Sequence, residues 1–489
     1  MFPSSEDLLR VLPEMIWCAF GALLMLLQPV VRSRRALTWI ALSGAFVGGL
    51  GMSFMVHAKT PTAFSGLIAN DPFSIFFHYI IWFVAILVIL GADSYLDRER
   101  LPEAEFYALI LFASAGMGVL ASAQELLTAF IGLEMSSISS YVLAGYRRDA
   151  LKSGESAMKY FLLGSFATAF FLYGIALVYG VTGTTILVKM DSADPSSTLL
   201  KLGLGLILIG LGFKVAAAPF QIWTPDVYEG APTPVTALFS AGPKAAAFAL
   251  LLRIFADVHA ATQFWFWAFW ILAVLTMFVG NLGGLLQTNV KRLLAYSSIA
   301  HAGYILVAFA AVTNLAATET GPGAAPAYAA VLFYLLTYAI VKVGAFTVVS
   351  QYGGLGEKRL TLDDYAGLGE RQPVVAAVLS LFLLSLLGLP VTAGFFGKFY
   401  IFKAAVDSHL IWLAVLMAIN SIIGAYYYIR VIVVMYMREP SPDSAAAAPA
   451  RFPAMVNAVL VLTAAGTIIL GLAPSKVLNY LLQSNLLNH

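Results

Sequence analysis

Long apolar segments follow one another along the whole chain, separated by short clusters of charged residues, glycine or proline. About 20 apolar residues are enough for an α-helix to cross the hydrocarbon core of a membrane. The pattern therefore predicts an all-α polytopic membrane protein, and an even number of spans places both termini on the same side. The 14 predicted spans lie at about 11–30, 37–56, 73–92, 106–123, 125–146, 157–182, 199–229, 233–254, 263–286, 293–313, 326–350, 373–407, 410–437 and 452–473.

Composition excludes a soluble protein and several kinds of partner. Of the 489 residues, 60% are apolar and 11% are charged, whereas about 25% of residues in soluble domains are charged. The 28 Lys and Arg and the 26 Asp and Glu leave a net charge of +2, which is too balanced for a nucleic-acid-binding protein. A single cysteine, Cys18, excludes disulfides and cysteine-ligated iron–sulfur or zinc sites. We therefore expect no metal, cofactor or nucleic acid on this chain.

The distribution of Lys and Arg predicts the orientation. Connections after odd-numbered spans contain 15 of these residues, including Arg148 and Arg371, whereas the opposite face has seven, including Arg10 and Lys476. Because cytoplasmic loops hold the excess of positive charge, we expect both termini on the non-cytoplasmic side. The N-terminus lacks the basic region of a cleaved signal peptide, so the first span is expected to be retained.

Six basic residues lie inside predicted spans, where each costs about 2.5–3.5 kcal/mol to insert. Lys214, Lys244 and Lys342 lie near the middle of their spans, where the side chain reaches only part of the way to water. Arg430 and Lys159 lie within a turn or two of a span end; snorkelling towards water explains Arg430 and is an equal alternative for Lys159. The six are Lys159, Lys214, Lys244, Lys342, Lys398 and Arg430.

Glu134 and His301 are two further titratable candidates inside spans. Glu134 is the only carboxylate well inside a span, and a buried carboxylate becomes neutral unless a base lies beside it. The simplest partner for Glu134 is one of the buried lysines. His301 serves either as a proton carrier or as a donor to a carbonyl group.

Two predicted spans are too long for one crossing and contain helix breakers. Span 7 runs past Pro219 and Pro225, and span 12 runs through GLPVTAGFFGK at 388–398. Such interrupted segments at matching positions are typical of inverted-repeat transporters, whose ion sites lie at discontinuous helices. The two spans are five apart, so equivalent helices would cross the membrane in opposite directions. Lys214 lies just before the first break and Lys398 at the second, where freed backbone groups can hold the water that a proton relay needs.

Four motifs carry a resemblance to a known family. They are PFQIWTPDVYEGAPTPVTA at 219–237, SAGPKAAAFALLLR at 240–253, QTNVKRLLAYSSIAHAGY at 287–304 and LSLLGLPVTAGFFGKFYIF at 384–402. In this order they resemble subunit N of bacterial NADH:quinone oxidoreductase, respiratory complex I. The resemblance covers about 70–440, whereas the first two spans and the last match only in hydropathy.

The resemblance implies an antiporter-like, proton-translocating membrane-arm subunit of the bacterial plasma membrane. Spans 4–8 and 9–13 would be inverted repeats, with FMN and iron–sulfur clusters in partner subunits and no redox centre in this chain. Further antiporter-like subunits, protons, water and the lipid bilayer would be its partners. The implied division is 1–105 for three N-terminal spans, 106–254 for the first repeat, 263–437 for the second and 438–489 for a loop and the last span.

The resemblance also assigns roles to the titratable residues. Glu134 matches the glutamate of the fifth helix, and Lys214 matches the lysine of the first broken helix. Lys244 matches the lysine of the eighth helix, and Lys398 the exit-side lysine of the second broken helix. Further positions along the family's polar axis are Lys159, His301 and Lys342. The sequence departs from the family at Gln221, where the family usually has histidine.

The sequence therefore predicts a subunit that translocates protons, driven by electron transfer from NADH to quinone in a distant part of a complex. Three alternatives remain open at this point. A stand-alone cation/proton antiporter would use the same two-repeat architecture. A structural membrane-arm subunit would use its lysines only to hold water. An equivalent subunit of a ferredoxin-dependent complex would differ only in the electron donor, which other subunits select.

Overall fold

The fold is a bundle of long helices that follow the predicted spans closely. Twelve helical segments of the described chain are long and apolar enough to cross a membrane, and the shorter apolar helices Leu12–Leu27 and Pro373–Leu387 occupy span 1 and the first half of span 12. The polytopic all-α architecture is thereby confirmed, and helices occupy all 14 predicted positions. The computed structural model describes residues 4–56, 62–190, 194, 196–257, 262–318, 325–440, 450 and 452–483.

The helices are numbered as spans in chain order. They are Leu12–Leu27, Arg34–Val56, Pro72–Glu99, Glu103–Ser122, Leu126–Ala144, Leu151–Thr182, Thr198–Val215 with Trp223–Gly230 (span 7), Thr233–Asp257, Thr262–Leu285, Val290–Thr318, Ala325–Tyr352, Pro373–Leu387 with Ala393–Asp407 (span 12), Ile411–Met437 and Ala454–Leu472. Short helices or 3-10 turns lie at Ser5–Arg10, Phe64–Gly66, Leu187–Met190, Phe220–Ile222, Leu355–Glu357, Leu362–Tyr365, Leu368–Arg371 and Pro474–Gln483.

The short connection between spans 4 and 5 is a true boundary. A small antiparallel ladder pairs Thr62–Ala63 with Ile68–Ala69 ahead of span 3. The carbonyl of Leu67 in this hairpin accepts a hydrogen bond from the amide of Gln124. Backbone groups released at the end of span 4 are thus bound by the hairpin, so two helices form where only two polar residues interrupt the apolar pattern.

Both overlong spans are interrupted, as predicted. The first half of span 7 ends at Ala216, which has a left-handed φ of 61°, and helix resumes at Trp223. The first half of span 12 ends at Gly388, with a φ of 95°, and helix resumes at Ala393. Glycine adopts this left-handed conformation without a steric penalty and is therefore a common helix terminator.

Spans 8, 10 and 11 form the centre of the bundle, with their side chains almost entirely buried. Spans 9 and 10 pack closely through a small residue, since a Cβ added at Gly280 would lie 2.3 Å from the amide nitrogen of Ala300. The three central spans contribute Lys244, His301 and Lys342. These titratable groups are therefore in the part of the bundle most remote from lipid.

Candidate functional site

The amino group of Lys244 on span 8 is bound to span 10. Its Nζ donates a hydrogen bond of 2.9 Å to the carbonyl of Ser298, and only 2% of the residue is exposed. The Ser298 hydroxyl in turn accepts a 2.8 Å hydrogen bond from the hydroxyl of Tyr338 on span 11. Lys244 is therefore held at the junction of all three central spans.

Lys342 on span 11 begins a chain of side-chain hydrogen bonds. Its fully buried Nζ donates to the carbonyl of Leu294 at 2.8 Å and to the hydroxyl of Ser297 at 2.9 Å. The hydroxyls of Ser297 and Tyr428 share a hydrogen bond of 2.5 Å. The chain thus connects the amino group to span 13.

His301 continues this chain from Tyr428. Its Nε2 lies 3.1 Å from the Tyr428 hydroxyl, and its Nδ1 lies 2.5 Å from the hydroxyl of Tyr334. Hydroxyl and imidazole groups both donate and accept hydrogen bonds, so each link can pass a proton to the next. An unbroken path therefore runs from Lys342 to Tyr334 through side chains alone.

A small cavity next to His301 leads towards the second helix break. Its volume is about 10 Å³, which is close to the minimum for one water molecule. Its lining includes Tyr334 and Thr337 of span 11 and Ser385, near the end of the first half of span 12. The path from His301 can therefore extend to the break by one water.

Lys398 belongs to the second half of span 12 but binds the first half. Its Nζ donates a 2.9 Å hydrogen bond to the carbonyl of Leu387, the last residue of the first half-helix. It also lies 4.9 Å from the ring centroid of Tyr304. A cation is stabilised both at a helix C-terminus and over an aromatic face. The break therefore forms a cation site.

Lys214 lies at the break in span 7, but in the last turn of the first half-helix. Only 8% of it is exposed. Its Nζ lies 5.3 Å and 5.2 Å from the ring centroids of Tyr141 and Tyr160. Both broken spans thus present a lysine amino group at the C-terminal end of the first half-helix.

Glu134 and Lys214 do not form a direct ion pair. Glu134 is half-buried, and its Oε1 accepts a 2.8 Å hydrogen bond from the hydroxyl of Thr168 on span 6. Tyr141, two turns further along span 5, contacts Lys214 through its ring. The carboxylate that we expected beside a lysine is thus held by a threonine in this structure.

Lys159 lies apart from these groups, at one end of the bundle. Its side chain is 40% exposed and forms ion pairs with Glu155 at 2.6 Å and with Asp226 at 2.7 Å. Asp226 also pairs with Arg292, which reaches Glu229 at 3.2 Å. The structure therefore places Lys159 in a chain of partly exposed ion pairs instead of among the buried amino groups.

The chain is similar in sequence to known proteins. A family model described as "NADH:quinone oxidoreductase/Mrp antiporter, TM" matches residues 123–424. NADH-quinone oxidoreductase subunit N 1 of Solibacter usitatus is 49% identical over 488 residues, which cover 98% of this chain and 97% of that protein. The chain belongs to the subunit N family.

Two solved structures extend the comparison. A chain of respiratory complex I from Thermus thermophilus with bound aureothin is 37% identical to this one, with a TM-score of 0.80, and the match covers 96% of this chain and 99% of that chain. A chain of the membrane-bound sulfane sulfur reductase, an archaeal respiratory membrane complex, is 27% identical, with a TM-score of 0.82 and coverage of 98% and 96%. The subunit N fold therefore extends over nearly the whole chain.

Several members of the buried chain were not predicted from the sequence. The tyrosines lie on spans 11 and 13, far along the sequence from His301, and tyrosine in an apolar span gives no signal by itself. The serines could have been found, because Ser297 and Ser298 precede His301 by about one helical turn and lie near its face of the helix. The unpredicted members are Ser297, Ser298, Tyr334, Tyr338 and Tyr428.

Gln221, at which the sequence departs from the family motif, lies in the 3-10 turn at the first break. Its Oε1 is buried and has no hydrogen-bond partner among the described residues. The central chain does not include it. We therefore expect Gln221→His to leave NADH oxidation and proton pumping within about twofold of the unmodified complex, since changes away from such networks have small effects. A large gain in pumping would show instead that this position lacks a proton carrier that the subunit could use.

Proposed function

We propose that this subunit translocates protons across the bacterial plasma membrane, driven by electron transfer from NADH to quinone in partner subunits. FMN and iron–sulfur clusters belong to those partners. The observation that carries the proposal is the hydrogen-bonded chain from Lys342 through Ser297 and Tyr428 to His301, with further buried amino groups on either side. A bundle that needed only stability would bury apolar side chains in their place.

In this proposal each titratable residue has a role along the axis of the two repeats, 106–254 and 263–437. Glu134 and Lys214 form the input end, and Lys244 carries the proton to the second repeat. His301 and Lys342 continue the path and Lys398 is the exit side. Lys159, which pairs with Asp226, is a surface group that supplies protons to the input end.

Division of the transport among several groups suits the energy involved. Moving one charge through a potential of about 180 mV costs about 4 kcal/mol. A single exchange between a free and a bound amino group is worth about 1.4 kcal/mol for each tenfold change in proton affinity. Several lysines in series can therefore divide an energy cost that a single lysine could barely meet.

A stand-alone cation/proton antiporter is the second candidate, because the matching family model also covers Mrp antiporters. The two functions differ in what the chain does alone. The purified subunit in liposomes would exchange cations for protons if it were such an antiporter. A complex I subunit would be inactive until its partners supply electron transfer.

Replacement of Lys244 tests the proposed function. Methionine is similar in length and flexible enough to fill the same space, so the complex should assemble with Lys244→Met. Proton pumping by the intact complex in liposomes should fall on the order of 10²-fold, which is typical for loss of a positioned proton carrier. The control is Lys403→Met, because Lys403 is exposed and, among the described residues, its ion pair is with Asp407 on its own helix. Equal pumping by both variants would contradict the proposal.

The proposed orientation has both termini outside the cytoplasm. Single cysteines can report it in a Cys18→Ser background, since Cys18 is the only native cysteine. We expect cysteines at Arg148 and Arg371 to react with a membrane-impermeant maleimide only from the cytoplasmic side. A cysteine at Lys476 should react only from the opposite side. The reverse pattern would overturn the orientation.

A further inference from the structure

A buried pair of titratable groups lies outside both proposed repeats, among the first three spans and span 4. Glu14 on span 1 and His78 on span 3 approach to 2.6 Å between Oε1 and Nε2. His78 is fully buried and Glu14 is 6% exposed. Span 4 comes so close that a Cβ on Gly118 would lie 2.6 Å from Oε1 and 3.0 Å from Nε2. Span 4 therefore covers the pair closely on that side, and a larger residue at 118 would displace the Glu14 carboxylate.

The hydrogen bonds define the protonation of this pair. Nδ1 of His78 lies 2.7 Å from the carbonyl oxygen of Ser74, which can only accept, so Nδ1 carries a proton. The 2.6 Å contact between Nε2 and Glu14 Oε1 needs a second proton, because two acceptors would repel each other. That proton belongs either to an imidazolium or to a carboxylic acid. The second carboxyl oxygen, Oε2 of Glu14, is buried without a hydrogen-bond partner among the described residues and is free to take up another proton.

The depth of the pair follows from an ion pair at the same end of the bundle. Arg253 on span 8 donates to Asp71 at 2.8 Å and 2.9 Å, which sets the two helices at one level. At 1.5 Å per residue, His78 lies about 10 Å below that level and Lys244 about 14 Å below it. Spans 3 and 8 pack against each other. The pair and the buried amino group of Lys244 are therefore at similar depths in neighbouring helices.

We propose that Glu14 and His78 form a proton-exchange site between the buried lysines and the non-cytoplasmic side, a site separate from the two broken spans. In the orientation proposed above, both residues lie in the outer halves of their spans. Arg10 caps this end by donating to the carbonyl of Thr62. The proposal rests on proton translocation by the subunit, but it involves none of the residues on the axis of the two repeats.

The charged groups around the pair are few and mostly neutralised. Asp71 and Arg253 neutralise each other on spans 3 and 8. On span 1, the other titratable group is Cys18, one turn beyond Glu14. The helix before it has Arg10, which is paired with Glu6, and Asp7, which accepts a hydrogen bond from the amide of Phe64. The outer halves of spans 2 and 4, residues 44–56 and 108–122, contain only apolar residues, glycine and serine, and therefore no titratable side chain. Among the described buried groups of this region, Glu14 and His78 are therefore the ones that we expect to respond to the outside pH.

The test uses the intact complex in liposomes with its NADH-oxidising arm outward, so that the lumen corresponds to the non-cytoplasmic side. Glu14→Gln and His78→Asn remove the titratable groups, and the asparagine amide can still donate to the Ser74 carbonyl. Pumping should slow at least about tenfold, the low end for loss of a positioned proton-transfer group, and should lose its dependence on lumen pH. Cys18→Ser, one turn away on span 1, should match the unmodified complex. Unchanged pumping and lumen-pH dependence in the assembled variants would overturn the proposal.

A second measurement needs no substitution. A hydrophobic carbodiimide reacts with protonated carboxyl groups in apolar surroundings, so Glu14 of the unmodified complex should be labelled, and less so as lumen pH rises. Asp71, which is ion-paired with Arg253, is the internal control and should remain unlabelled. Failure of Glu14 to label in a pH-dependent manner would contradict the site. Normal pumping by Lys244→Met would instead refute the proposed function and leave the labelling result standing.

Discussion

Replacing Lys214 with arginine should leave a complex that assembles but hardly pumps protons. The guanidinium group can keep the contacts with the rings of Tyr141 and Tyr160, since arginine stacks on aromatic faces at least as well as lysine. It does not release its proton in a protein. A group that cannot release its proton blocks proton transfer along the path. We therefore expect pumping and coupled NADH oxidation to fall on the order of 10²-fold. Lys214→Met should be equally harmful.

Glu134→Gln is the companion variant. Because Glu134 is bound to Thr168 and forms no ion pair with Lys214, its loss should slow pumping less than either change at Lys214. NADH oxidation, proton pumping and the amount of assembled complex should be measured for all three variants. Normal pumping with arginine at 214 would mean that the site needs only a positive charge and that Lys214 is not a proton carrier.

The spans and their interruptions could be predicted from the sequence because each depends on local composition. Apolar length defines a crossing whatever its neighbours are. Gly388 and the prolines of the two motifs interrupt helices through their own backbone preferences. The short break between spans 4 and 5 could also be predicted, because Gln124 and the residue after it are polar and interrupt an otherwise apolar run.

The contacts between titratable groups could not be predicted in the same way. Lys214 and Glu134 are 80 positions apart in the sequence, and nothing in either span shows that Thr168 lies between spans 5 and 6 to bind the carboxylate. Lys159 was ambiguous for a different reason. Its four-residue spacing from Glu155 is the mark of an exposed ion pair on a helix, and the structure places both there.

The resemblance to subunit N was informative about the relay but not about Glu14 and His78. Glu14 lies close to the start of the first predicted span, so the sequence predicts that it lies at the membrane surface. His78 lies within the third span, but its partner is 64 positions earlier. Only the packing of spans 1, 3 and 4 around Gly118 brings the two together.

The second large effect is expected at Glu357, in the turn after span 11. Its carboxylate is buried and accepts hydrogen bonds from Lys291 Nζ at 2.8 Å, from the Thr233 amide at 2.8 Å and from the Thr233 hydroxyl at 2.6 Å. Lys291 also donates to the carbonyl of Ala231. This pair therefore holds the start of span 8, which carries Lys244, against span 10.

Lys291→Met should destabilise the complex strongly. It leaves the Glu357 carboxylate buried, with Arg147 at 3.7 Å as its remaining basic neighbour, and breaking one side of a buried ion pair costs about 3–5 kcal/mol. The expected results are a lower melting temperature and less assembled complex in the membrane. The double variant Lys291→Met/Glu357→Gln should recover much of the loss, because glutamine keeps an acceptor for Thr233 and removes the buried charge. A double variant no better than the single one would show that the pair does not act as a unit.

The pH dependence of stability provides an independent check on the same pair. Burial alone would raise the pKa of Glu357, but Lys291 and Thr233 lower it below the ordinary value of 4.5. A lowered pKa in the folded state means that the ionised carboxylate contributes its full stabilisation above about pH 4.5. This contribution is lost as the pH falls below 4.5 and through the folded-state pKa. The melting temperature of the unmodified complex should therefore decrease in acid more steeply than that of the double variant, which has no carboxylate at 357. Parallel acid profiles for the two would contradict an ionised Glu357 in the folded complex.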